Sequence, residues 1–140
     1  MAKVLVIDDF HTYSEMISLL IEKKGKHEVQ ADILPFDAAQ VHAFAPDVIV
    51  LSLVRKVEAL ASRLTDFYRE VDGAKALKAF TADESLRGYP LIITAIGLEE
   101  RELPPDLDYI AFVDIPHRLD YLIETINHIA ASRGRDILEQ

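Results

Sequence analysis

Residues 3–10 read KVLVIDDF. The apolar, largely β-branched run from Val4 to Ile7 stops at two acids, Asp8 and Asp9. A run that is apolar at every position, rather than at alternate ones, predicts a strand covered on both faces. The same pattern repeats downstream. Over 12–24 the residues Tyr13, Met16, Ile17, Leu20 and Ile21 recur at helical spacing, and Gly25 follows as a stop signal. Residues 28–34 predict a second strand, and 37–44 a short helix with Val41 and Phe44 inward. Pro46-Asp47 leads into a third strand at 48–51. Residues 91–93, introduced by Pro90, make a fourth strand and 109–113 a fifth. Over 119–131 the residues Leu119, Leu122, Ile123, Ile126 and Ile129 mark an amphipathic helix.

Apolar strands alternating with helices imply a parallel sheet with helices on both faces. The expected fold is therefore α/β: a doubly wound, five-stranded, flavodoxin-like domain. Folds of this kind place their sites at the carboxyl ends of the strands. That selects Asp8, Asp9, Ser52, Thr94, Ala95 and Ile115.

Composition narrows the classes of function. A chain of 140 residues suits a single domain, and half hydrophobic with 28% charged is a globular balance. The net charge of -9 and the lack of a basic run argue against nucleic acid. With no cysteine, disulfides, thiol catalysis and cysteine metal sites are excluded. His11, His27, His42, His117 and His128 are scattered, without metal-ligand spacing. The first apolar stretch is too short for a signal peptide, and no apolar run is long enough to span a bilayer. The expected location is the cytoplasm.

Four segments in order resemble the receiver domain of two-component response regulators, over nearly the whole chain. KVLVIDDF looks like that family's first strand with its acidic pair, and PDVIVLSL like the third strand, which carries the phosphoryl-accepting aspartate. YPLIITA looks like the fourth strand with its hydroxyl switch residue. FVDIP looks like the fifth, where an aromatic residue precedes a Lys-Pro pair. The resemblance assigns Asp8 and Asp9 to the magnesium-holding acids, Thr94 to the switch hydroxyl, Phe112 to the switch aromatic and Pro116 to the proline. Two positions depart from it. Ser52 stands where the acceptor aspartate belongs, and Ile115 where the lysine belongs.

Both departures act on the chemistry the resemblance implies. A carboxylate attacks phosphorus to give an acyl phosphate, whereas a serine hydroxyl is barely ionised and needs a base. The missing lysine would have offset charge on the phosphoryl oxygens. The lost carboxylate also removes one hard oxygen donor, leaving Asp8 and Asp9 as a weak magnesium site at best. Arg55 or Lys56, just after Ser52, is the candidate replacement cation.

A third departure lies after Ser52. Asp72-Gly73 looks like the pair that opens the family's third helix, but comes about a dozen residues late. Between them runs RKVEALASRLTDFYREV, with Val54, Val57, Leu60, Ala61, Leu64, Phe67, Tyr68 and Val71 at helical spacing. This predicts an added amphipathic helix over 55–71, with Leu64 and Phe67 as anchors. Pro104-Pro105 argues that the family's fourth helix is reduced. Residues 1–132 then form the domain, with 133–140 as a tail.

The leading expectation is a receiver-like signalling module, a pseudo-receiver. It would be no enzyme, and would work by binding a protein, a second copy of the chain included. An orthodox phosphorelay receiver with a displaced acceptor, Asp47 or Asp66, is the alternative. A small nucleotide-binding protein or enzyme of the same fold comes third, because the turn DDFHTYS lacks the glycines of a phosphate loop.

Overall fold

A computed structural model describes residues 1–8, 11–33, 37–55, 71–115 and 117–139. The elements run β1 (Lys3–Asp8), α1 (His11–Gly25), β2 (Glu28–Ile33), α2 (Ala38–Phe44), β3 (Val48–Arg55) and β4 (Val71–Asp72). They continue with α3 (Ala74–Ala82), β5 (Leu91–Ile96), β6 (Ala111–Asp114) and α4 (Leu119–Glu139). Short 3-10 turns at Glu84–Leu86 and Glu100–Glu102 flank β5. The main sheet has the order β2-β1-β3-β5-β6, and all its neighbours are parallel. The expected five-stranded parallel sheet is therefore present, with its order reversing at β1 and β3.

Strand alternation divides the core into two layers. Leu5, Ile7, Ile49, Leu51, Leu53 and Ile93 face α2 and α3, meeting Val41, Leu77 and Phe80. Val4, Val6, Val48, Val50, Ile92 and Val113 face α1 and α4, meeting Ile17, Ile21, Leu122 and Ile126. This is why the strand sequences read apolar at every position. A buried His27 joins the start of β1 to α4: its Nδ1 accepts from the Ala2 N–H at 3.0 Å, and its Nε2 lies 2.7 Å from Asn127 Oδ1.

The root of the insertion differs from the sequence reading. Val54 and Arg55 belong to β3, and pair antiparallel with Asp72 and Val71 of β4. The helical stripe thus took strand residues as its first and last members. The reason is that β3 keeps its ladder with β5 as far as Val54↔Ile96, which holds this stretch extended. The interior of the expected helix, residues 56–70 with Lys56, Leu64, Asp66 and Phe67, lies outside the described residues.

Asp72-Gly73 does open a helix, α3, with Gly73 at its N-cap and φ of 93°. After β5 the described chain holds only a 3-10 turn before β6, in keeping with a reduced fourth helix. The final helix runs past 131 to Glu139, so the stretch taken as a tail continues α4 instead.

Candidate functional site

Parallel register sets the site. Ile7 pairs with Leu51, Leu51 with Ile93 and Ile93 with Phe112. One step further along, Ser52 pairs with Thr94 and Thr94 with Val113. The backbone of Asp8, last in β1, stands level with Ser52. Asp9 and Pro116 lie outside the described residues.

Alternation turns Ser52 and Thr94 to the same face of the sheet. There Thr94 Oγ1 donates to Ser52 Oγ at 3.0 Å. The two residues are 3% and 1% exposed, so the bond is dry. Ile115, in the lysine position, is 4% exposed and packs in the layer beneath α1 and α4. Its N–H donates to the Ala95 carbonyl at 2.9 Å, which fixes the turn after β6. Phe112 faces the other layer, half-buried against the core beneath α2 and α3. The structure thus brings Ser52 and Thr94 together and places Phe112 on the opposite side of the sheet.

Gly73 presses on the site from the chain returning to α3. A Cβ there would lie 2.0 Å from the Ser52 carbonyl oxygen. Only glycine permits both this approach and the positive φ. Ser52 is therefore covered by backbone as well as by Thr94.

Of the two candidate replacement cations, Lys56 lies outside the described residues and Arg55 is engaged elsewhere. Arg55 donates from Nε to the Gly97 carbonyl at 2.9 Å, and its guanidinium pairs with Glu102. Its charge is committed to the loop after β5. Glu102 also accepts the Glu99 N–H at 2.7 Å. Partial burial pushes the Glu102 carboxyl up, but the Glu99 N–H and the Arg55 guanidinium outweigh it and hold the group below its usual range. Sequence reasoning missed this network, because Arg55 and Glu102 lie 47 positions apart. A cavity of about 630 Å3 opens beside it, lined by Arg55, Gly97, Glu102, Asp114, Ile115 and His117 among others. Ser52 and Thr94 do not line it.

Position 52 offers magnesium no carboxylate. At Ser52 a neutral, buried hydroxyl engaged by Thr94 stands where a third carboxylate would have to be. Among the described residues no three His, Asp or Glu side chains group as metal ligands. Among the same residues no helix is long and apolar enough to cross a membrane.

No family model matches the sequence. An uncharacterized protein of Archaeoglobus fulgidus is 34% identical over 109 residues, 74% of this chain. The match spans only 38% of that relative's length. Solved structures match over most of the chain. A DNA-binding response regulator of the LuxR family from Staphylococcus aureus is 18% identical, with a TM-score of 0.62 over 92% of this chain and 98% of that one. A response regulator receiver modulated diguanylate cyclase from Pelobacter carbinolicus is 15% identical, with a TM-score of 0.61 over 96% and 97%. The signal receiver domain of a signal transduction histidine kinase from Syntrophus aciditrophicus is 17% identical, at 0.60 over 94% and 92%. The chain has the fold of a response-regulator receiver domain.

Proposed function

We propose that the protein is a receiver-like signalling module that acts by binding another protein, without aspartyl phosphorylation and without catalysis of its own. The observation that carries this reading is the buried Thr94–Ser52 hydrogen bond. In a working receiver, the hydroxyl at the Thr94 position is available to follow a phosphoryl group on a neighbouring carboxylate. Here the neighbour is a hydroxyl, and Thr94 already donates to it. Ile115 adds apolar surface where a lysine would add charge, so the arrangement resembles a receiver held in one state. The resemblance to receiver domains supports a signalling role, and the spent pocket favours recognition over chemistry.

Of the two displaced-acceptor candidates, the structure describes one. Asp47 sits at the amino end of β3, where its carboxylate accepts the Lys3 N–H at 2.9 Å, and Asp66 lies outside the described residues.

Beryllofluoride, a phosphoryl mimic that needs a carboxylate anchor, tests the reading. With magnesium present, it should leave the amide resonances of Ser52, Thr94 and Ile115 unmoved. Saturable shifts at those three amides would overturn the proposal.

A further inference from the structure

A second cavity, of about 580 Å3, opens at the other end of the sheet, where the end of α3 meets the segments entering β5 and β6. Its volume falls in the range of small-ligand sites. Phe80 and Leu91 form an apolar floor, 5% and 2% exposed. Tyr89 and Tyr109, both half-buried, supply two more rings. Each phenol is held by a group that is not part of the lining. Tyr89 Oη lies 2.7 Å from His42 Nδ1, and Tyr109 Oη donates to Glu100 Oε2 at 2.5 Å. His42 is itself held by Ser85 Oγ at 3.0 Å, and Ser85 Oγ by Asp83 at 2.6 Å. Both rings are therefore set in place before any ligand arrives, which lowers the ordering cost of binding.

The rim gives the cavity its charge preference. Asp106 and Asp108 contribute two exposed carboxylates against the single guanidinium of Arg87. Gly88 adds no side chain, and a Cβ there would meet nothing within 4 Å, so the mouth is open on that side. Three rings below two carboxylates suit a cation, whose charge is attracted to ring faces and to the acids together. An anion would meet Arg87 with two like charges beside it. The net charge of -9 on the whole chain adds the same bias.

We infer that this cavity binds a small protonated amine with an apolar body, the body resting on Phe80 and Leu91 and the ammonium among Tyr89, Tyr109 and the two aspartates. The site is remote from Ser52 and stands or falls independently of the proposed function.

Three probes with one body and three head groups test it on the full chain: phenethylamine, 2-phenylethanol and 3-phenylpropionate. Titration followed by amide shifts and calorimetry should show phenethylamine binding at Phe80, Tyr89 and Tyr109. The alcohol should bind about fivefold more weakly, and the propionate more weakly still. The double variant Asp106→Asn, Asp108→Asn changes only exposed groups. It should weaken the amine about fivefold and leave the alcohol unchanged. Equal affinity for amine and alcohol, preference for the propionate, or an amine affinity indifferent to the double variant would each overturn the inference. So would the absence of any shift at about 10 mM amine.

Discussion

Ser52 is a small polar residue almost closed off from solvent, and its environment decides what it can do. At 3% exposure its hydroxyl needs a protein partner, and Thr94 supplies one. Removing one partner of a buried bond strands the other, at about 1–3 kcal/mol, whereas removing both is nearly neutral. Thr94→Val and Ser52→Ala alone should therefore each lower stability by about 1–2 kcal/mol, and together by less than their sum. A double-mutant cycle on denaturant midpoints measures this, and strict additivity would count against the bond. The same position governs metal affinity. The unmodified chain should bind magnesium no better than weakly, and Ser52→Asp should tighten it by adding a hard oxygen donor beside the acidic end of β1. Calorimetry on both proteins checks this; no gain in the variant would contradict the assignment of the pocket.

At the scale of elements, the hairpin made by the end of β3 and by β4 is what sets this domain apart from a plain five-stranded sheet. Gly73 fixes how that hairpin returns over Ser52, because its missing Cβ leaves room for the Ser52 carbonyl. Gly73→Ala should cost roughly 2–4 kcal/mol, from the clash and the positive φ together. Equal thermal midpoints for variant and parent would contradict this packing. Arg55 then ties the hairpin to the loop after β5 through Gly97 and Glu102. The Glu102 carboxyl is held below its usual range in the folded state. Its contribution is therefore complete above the unfolded glutamate value of about 4.3, and is lost as pH falls through the lower folded value. Between about pH 7 and about pH 3 the parent should lose more stability than Glu102→Gln. Identical losses in the two proteins would remove Glu102 from the account.

At the scale of the molecule, the fold was legible because burial writes itself into sequence. Val48, Ile49, Val50 and Leu51 are all fully buried, and a run of that kind fits only a strand covered on both faces. Ser52 and Thr94 were selected as residues just past strands ending at 51 and 93, yet both lie inside their strands. Those strands run on to Arg55 and Ile96 because the β3–β5 ladder continues beyond them; Ile115 does follow the end of its strand. Contacts between distant side chains were legible in part. A bond between Ser52 and Thr94, 42 positions apart, is one reading of two residues selected for the same site, whereas Arg55 meeting Glu102 from 47 positions away left no signal. Nor was β4 legible: two residues carry no period, and Val71 fits a helical stripe as well as a strand edge. The ring-lined cavity at Phe80, Tyr89 and Tyr109 left no local signal, because its walls come from three separate segments. One measurement bears on the central claim most directly. The intact mass of the chain should stay unchanged after incubation with a small phosphodonor and magnesium, under conditions that label an ordinary receiver. A stoichiometric gain of one phosphoryl group, removed by hydroxylamine, would contradict it.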